Sequence, residues 1–232
     1  MHNYKGLMFF VTILVLGFYI LSCAPKADKE LNDAEEALQS AREAGAENTP
    51  SYQEAEDLIA RAKELMASGQ QSEARSLLEE ARFKAIAAKG EALSGEYMAG
   101  KTDAELQAEA EFLGSQQFQG SSALQDVFFN YDSASVRSDA RGTLDGNGSY
   151  IIKNAGTLQF VAVEGYCDIR GTEEYNLALG QRRADSVKSY LVGIGVSPGM
   201  IQAISKGETE QWAAGTSEYA YQQNRRAHFV TR

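Results

Sequence analysis

The residues on which most enzyme and metal chemistry depends are scarce in this chain. Its 232 residues include two histidines, two cysteines, three prolines and one tryptophan. His2 stands at the head of an apolar leader and His228 near the other end, so no clustered ligands are available to a metal ion. No H-E-x-x-H, G-x-S-x-G or phosphate-loop pattern occurs. The stretch "DGNG" invites a calcium reading, but a loop starting at Asp145 needs Gly and Glu where Tyr150 and Gly156 stand. Glu173 and Glu174 sit at a helix start, where two carboxylates complement the helix dipole. The expectation is a protein that is not an enzyme and holds neither metal nor cofactor.

An excess of positive charge is missing too. Lys and Arg number 22 against 32 Asp and Glu, a net charge of -10. A nucleic-acid binder needs a concentrated basic surface, so none is expected as a partner. The acidity is unevenly spread: residues 24–115 hold twenty acidic and ten basic residues, and residues 116–232 hold twelve and eleven. Two kinds of sequence are therefore joined in one chain.

The start of the chain is a third kind. "MHNYK" carries one positive charge, and Leu7 to Leu21 is a nearly unbroken apolar run of fifteen residues that stops at "SC". A membrane span needs about 20 apolar residues; a basic head, a shorter apolar run and a small residue before the cut read as an export signal. Ile20 to Cys23, "ILSC", resembles the lipobox of bacterial lipoproteins, with Ile20 where that pattern prefers Leu. The resemblance implies a signal over 1–22 and a diacylglycerol thioether and N-acyl chain on Cys23. With two or more chains such a group anchors stably. Ala24 rather than Asp after the cysteine implies sorting to the outer membrane, with the protein on its periplasmic face. Cys167 is then left without an intramolecular partner. The expected role is a small buried residue at a strand end, because a reactive thiol needs an activating neighbour.

From Lys26 to about Gln116 the composition favours helix. Leu31, Ala34, Leu38 and Ala41 repeat at helical spacing, as do Ala55, Leu58, Ile59, Ala62 and Leu65, and Ala74, Leu77, Leu78, Ala81 and Ala85. Breaks fall at "GAENTPS" and "SGQQS", and Ser51 with Glu54 reads as a capping box. Thr102 with Glu105 caps a shorter fourth segment. Narrow alanine-rich stripes suit close antiparallel packing. The segment resembles an uncharacterised alanine-rich helical domain of envelope lipoproteins. Residues 23–115 are thus expected to be a lipidated cysteine followed by a solvated all-α hairpin spacer.

After the polar "GSQQFQGSS" the periodicity changes. "LQDVFFNYD", "TLQFVAVEGY", "MIQAISKG" and "RRAHFVT" read as strands, with helices over Val136–Asn154 and Asn176–Val192. Residues 116–232 are expected to form an α+β domain of order βαβαββ, a mixed four-stranded sheet with helices packed on one face. Gly142, Gly146 and Gly148 inside the first of those helices each cost about 0.5–1 kcal/mol relative to Ala, so a bend or fraying is expected there.

One stretch concentrates the chemistry: "EGYCDIRGTEEYNLALGQRRA", with Asp168 at a strand end and Arg183 on the next helix. Two readings are open on spacing alone. One is a structural ion pair. The other is a receptor for a zwitterion, Asp168 accepting from an ammonium and Arg183 gripping a carboxylate with its planar fork. Loop N–H groups near Thr172 and the helix N-terminus would help hold that anion.

"VFFNYDSASVR", the stretch above, "ISKGE" and "NRRAHFV" resemble, in that order, the OmpA-like peptidoglycan-binding domain, and within it the peptidoglycan-associated lipoprotein (Pal) family. The resemblance covers about residues 122–232. Asp168, Gly171, Asn176, Leu179, Arg183 and Ala184 meet the family frame D-x-x-G-x-x-x-x-N-x-x-L-x-x-x-R-A. It implies a non-catalytic domain that binds peptidoglycan through the diaminopimelate of the stem peptide, with Asp168 and Arg183 as the main contacts. Asp132, Thr172, Leu179 and Asn176 are implied around them, and Arg226 at the border. Tol-type envelope proteins are implied as partners, although no motif in the sequence speaks for that contact. The family's usual Gly-His is Gly165-Tyr166 here, Cys167 follows, Asn130 replaces an acid, and Trp212 replaces a common proline; all are expected at the rim of the site. Two other readings stand beside this one. A flagellar-stator-like protein would keep residues 7–21 as a channel helix but would need an intramembrane acid that the run lacks. A scaffold would act through its helical region.

Overall fold

In the computed structural model the described residues are 26–102, 104, 105, 108 and 119–232. The expected signal at 1–22, Cys23 and most of the fourth helical segment lie outside them. No described helix is long and apolar enough to cross a membrane.

Three antiparallel helices come first: α1 (Asp28–Glu43), α2 (Pro50–Ala67) and α3 (Gln71–Ala99). They pack along the alanine stripes read from the sequence. Ala34, Ile59, Ala62, Ala74, Leu78 and Ala81 form one buried cluster. Short side chains bring the axes close, and the outward faces carry the charge. The cap of α2 differs from the expected one. Thr49 is the N-cap, its hydroxyl accepting from Tyr52 N at 3.2 Å, because Pro50 is already at the first helical position. Ser51 Oγ instead donates to Glu91 on α3 at 2.6 Å. The Thr102–Glu105 box does form: Thr102 N donates to Glu105 Oε2 at 2.8 Å and Glu105 N to Thr102 Oγ1 at 3.3 Å.

The second half holds β1 (Gln119–Gly120), β2 (Val127–Phe128), α4 (Arg141–Lys153), β3 (Val161–Cys167), α5 (Glu173–Gly193), β4 (Ile201–Glu208), α6 (Glu218–Asn224) and β5 (Arg226–Thr231). The sheet order is β1-β5-β3-β4, with β2 also pairing β5. β3 and β4 are parallel and β5 is antiparallel to β3, so the sheet is mixed as expected. β2 pairs over only two residues, and the short α6 before β5 has no counterpart among the expected elements. Val161, Val163, Ala227 and Phe229 face Leu144 and Ile151 of α4 and Val187 and Leu191 of α5 in the main core.

Two glycines set the distance between α5 and the sheet. A Cβ on Gly165 would lie 1.9 Å from the carbonyl oxygen of Gly180, and one on Gly180 would lie 2.7 Å from that of Gly165. Strand and helix backbones therefore touch just before the Asp168 loop. Helix α4 runs unbroken through its three glycines. The cost is offset in part by packing, since a Cβ on Gly148 would meet Ile194 Cδ1 at 2.3 Å.

The all-α hairpin forms as expected, but one side of it is packed rather than solvated. Helix α3 lies across α5 and makes a third layer. Phe83 is buried and stacks on Tyr190 with ring centroids 4.7 Å apart, Ile86 packs on the same core, and Arg141 pairs with Glu80. A Cβ on Gly90 would fall 1.7 Å from the carbonyl oxygen of Ser189, and one on Gly193 2.0 Å from that of Ile86. The two helices cross backbone against backbone, which side chains larger than hydrogen forbid. Periodicity along α3 shows an alanine stripe but not that its other face has a partner more than a hundred residues away.

Candidate functional site

A cavity of about 240 Å³ opens at the end of β3 and the start of α5. The Gly165–Gly180 contact holds these two elements together, so the loop between them is short and its side chains converge. Asp132, Asp168, Asn176, Leu179 and Arg183 line it, as the sequence reading proposed, together with Tyr131, Cys167, Arg170, Tyr175 and Arg225. Three guanidinium groups meet Asp132 and Asp168 in the lining, and Glu218 pairs with Arg170 and Arg225 just behind it, so the site carries both signs in balance.

Asp168 is buried, with its oxygens fully engaged. Oδ1 accepts from Arg170 N at 3.1 Å and Arg170 Nε at 3.0 Å; Oδ2 accepts from Arg170 Nη2 at 2.8 Å and Arg225 Nη1 at 2.9 Å. Burial pushes this carboxyl up, but the hydrogen bonds from the two arginines outweigh burial and leave it below its ordinary range. An ammonium reaching Asp168 must displace one of these donors. Arg225 is nearly inaccessible, its side chain 4% exposed, whereas that of Arg170 is 30% exposed and faces the opening. Arg170 is held between the rings of Tyr131 and Tyr221, at 4.0 and 4.2 Å, and it pairs with Glu218 at 3.3 Å.

Arg183 is 1% exposed. Its Nε donates to Ser133 O at 2.8 Å, Nη1 to Tyr166 O at 2.7 Å and to Cys167 Sγ at 3.3 Å, and Nη2 to Asn130 O at 3.1 Å. Burial lowers its proton affinity, but three carbonyl dipoles keep the charge solvated inside the protein. No ion pair joins Asp168 to Arg183 among the described residues. The free fork pictured from spacing is mostly committed: Arg183 clasps the loop after β2 to the end of β3. The residue still lines the cavity.

The other expected residues divide. Asp132 has the left-handed backbone φ of 52° and accepts a hydrogen bond from the Tyr175 hydroxyl. Asn176 donates to Glu208 Oε2 at 3.0 Å and to Asp168 O at 3.4 Å, fixing the loop from below. Leu179 supplies an apolar wall. Thr172 caps α5, its hydroxyl accepting from Tyr175 N at 3.2 Å, and does not line the cavity. Cys167 is buried at the strand end as expected; burial pushes its thiol up, and Sγ donates to Asn176 O at 3.3 Å.

Arg226 is not at the site. It pairs with Asp126 at 2.6 Å and lies over Trp212 and Phe128 at 4.2 and 4.7 Å, on the sheet face away from α5. Strand alternation decides this: Arg226 and His228 point to one face, and Ala227 and Phe229 point into the core. Its neighbour Arg225, just before the strand, turns into the cavity instead. Tyr166 and Trp212 are likewise not rim residues. Their rings meet edge to face at 4.6 Å on that same outer face, with Tyr166 donating to Glu164 at 2.9 Å. Asn130 contributes its carbonyl, which any residue would supply. Arg170 was legible as the basic residue two places after Asp168; Arg225 and Glu218 were not, since nothing local ties them to the loop.

Residues 128–225 match the OmpA family. The module is therefore an OmpA-like α+β domain with a charged cavity at the β3–α5 loop. The peptidoglycan-associated lipoprotein of Haemophilus influenzae is 46% identical over 101 residues, which cover 44% of this chain and 65% of that one. The peptidoglycan-associated lipoprotein of Brucella melitensis is 35% identical over 157 residues, 68% of this chain and 92% of that one. A crystal structure of the Burkholderia pseudomallei peptidoglycan-associated lipoprotein shares 36% identity over 47% of this chain and 90% of that one, with a TM-score of 0.44. The chain belongs to the peptidoglycan-associated lipoprotein family, while spanning about 65% of the length of its Haemophilus relative.

Proposed function

We propose that the chain binds peptidoglycan non-covalently and without catalysis, and tethers the outer membrane to the cell wall. The cavity would receive the free end of diaminopimelate in the stem peptide. Its ammonium would take the place of the exposed Arg170 donors on Asp168, and its carboxylate would lie against the guanidinium groups that line the cavity, of which the released Arg170 is the most exposed. Asp132 and Tyr175 would close one side and Leu179 would cover the methylenes. The observation that carries this reading is the convergence of Asp132, Asp168, Arg170, Arg183 and Arg225 on one open cavity in a chain of this family. A purely structural ion pair would have no need of an opening beside it.

Cys23 would carry the lipid anchor in the outer membrane, and the helical half would stand between anchor and wall domain. A Tol-type partner belongs to the same reading. Retention on purified sacculi tests the wall contact: Asp168→Ala is expected to weaken binding about tenfold or more, a loss of about 1.4 kcal/mol, and equal retention of both forms would remove the assignment. Mass spectrometry of the mature N-terminus tests the anchor, which an unmodified Met1 would exclude.

A further inference from the structure

A second cavity, wider than the one at Asp168, has no role in the reading above. It measures about 580 Å³ and lies between the helical half and the wall-binding half. Ser51 of α2, Lys84 and Glu91 of α3, Ser135 of the loop after β2, and Arg182 and Ser186 of α5 lie along it.

This cleft adjoins the Asp168 cavity. The same loop walls both: Asn130 and Ser133 give their carbonyls to Arg183 on the cavity side, and Ser135 lines the cleft. Arg182 links them across the surface. Its guanidinium stands 5.9 Å from the ring of Tyr175, which lines the cavity, while the residue also lines the cleft. Arg182 is exposed and makes no ion pair among the described residues.

The lining mixes the carboxylates of Glu54, Glu80, Glu91 and Asp185 and the cations of Lys84 and Arg182 with serine hydroxyls and apolar side chains. Glu91 accepts from Ser51 at 2.6 Å, Lys84 pairs with Glu54, and Arg182 offers uncommitted N–H groups. A simple anion would meet four carboxylates, and a wholly apolar ligand would leave Arg182 and the serines Ser135 and Ser186 facing it. A neutral ligand with many hydroxyl and amide groups satisfies both signs. The volume falls in the range of about 300–1,000 Å³ that holds ligands of disaccharide size. Burial pushes the Glu91 carboxyl up, and hydroxyl donors in the cleft would relieve that.

We infer that this cleft is a saccharide site for the N-acetylated glycan to which the stem peptide is attached, so that the helical half takes part in holding the wall. The inference rests on the wall-binding reading and extends it. In peptidoglycan the stem is joined to its sugar, so a stem seated in the Asp168 cavity delivers a saccharide to its neighbour.

Isothermal titration of the intact chain with the stem tripeptide alone, and with the same tripeptide on its disaccharide, separates the two levels. The disaccharide form is expected to bind about tenfold more tightly to the wild type. Ser51→Trp, which fills the cleft from the helical side, and Arg182→Ala, which removes the link without adding bulk, are expected to cut that margin below about threefold. Both are expected to keep the affinity for the bare tripeptide. Equal binding of the two ligands by the wild type, or a margin that survives in either variant, overturns the saccharide site and leaves the stem site standing. A wild type that binds neither ligand overturns both.

Discussion

The two halves of the chain use charge in opposite ways. In the helical half several ion pairs are on the surface: Lys63 with Glu35 at 2.7 Å and Arg42 with Glu47 at 3.2 Å join side chains about half exposed. Such pairs contribute about 0–1 kcal/mol each, and the helices are held by buried alanines and leucines instead. In the OmpA-like half the charges around the cavity are inside. Arg183, Arg225 and Asp168 are 1–3% exposed and hydrogen-bonded to backbone or to each other. A buried charge with its partners in place defines one geometry, and removing a partner leaves a charge that water cannot reach. The contrast indicates where rigidity is needed: the helices can exchange surface charge freely, while the cavity cannot lose one arginine without losing its shape.

Substitutions in the two halves should therefore differ in size. Arg183→Met is expected to cost the most, about 3–5 kcal/mol in denaturant unfolding, because three carbonyls lose their donor and the loop after β2 is released. A loss below about 1 kcal/mol would erase the contrast. Phe83→Ala, at the junction of the halves, is expected to cost about 3–5 kcal/mol, near the lower end because Tyr190 keeps its other neighbours. Hydrogen exchange should then show α3 opening while β3 and α5 stay protected. If protection in α3 is unchanged, the third layer is not held from this side.

A smaller effect depends on pH. The hydrogen bond between His228 Nδ1 and the accepting Asp126 carboxylate, at 2.8 Å, raises the His228 pKa, with burial opposing. A raised histidine pKa contributes stability that is full below the ordinary value of 6.5 and is lost as pH rises through the higher folded value. Asp126 is pushed up by burial but drawn lower overall by His228 and Arg226, so its share is lost as pH falls through a value below 3.8. The stability difference between wild type and His228→Gln should be greatest between about pH 4 and 6.5 and shrink above it. A difference that grows with pH would show that the pair is not charged. Lys63→Ala should have the smallest effect, under about 1 kcal/mol, and should vanish in high salt.

Much of the OmpA-like half was legible because its information is local. Alternation placed β3 and β5, a 3.6-residue stripe placed α5, and the D-x-x-G-x-x-x-x-N-x-x-L-x-x-x-R-A frame placed Asp168, Asn176, Leu179 and Arg183 on one cavity. Errors arose where one residue's rotation decided the outcome. Arg225 and Arg226 are adjacent, but the strand begins between them, so one faces the cavity and the other the outer sheet face. The cap of α2 moved two residues for a similar reason: Pro50 had already started the helix.

By itself the sequence determined the long helices and the central strands, where the alanine stripes run, and which loop carries the acid, because hydrophobic period and turn chemistry act over a few residues. Tertiary structure alone decided that Asp168 is held by Arg225, 57 residues away, that Arg183 spends its donors on backbone carbonyls, and that α3 lies against α5. Those outcomes depend on which surfaces meet once apolar area is buried, and nothing within a few residues of either partner encodes that meeting.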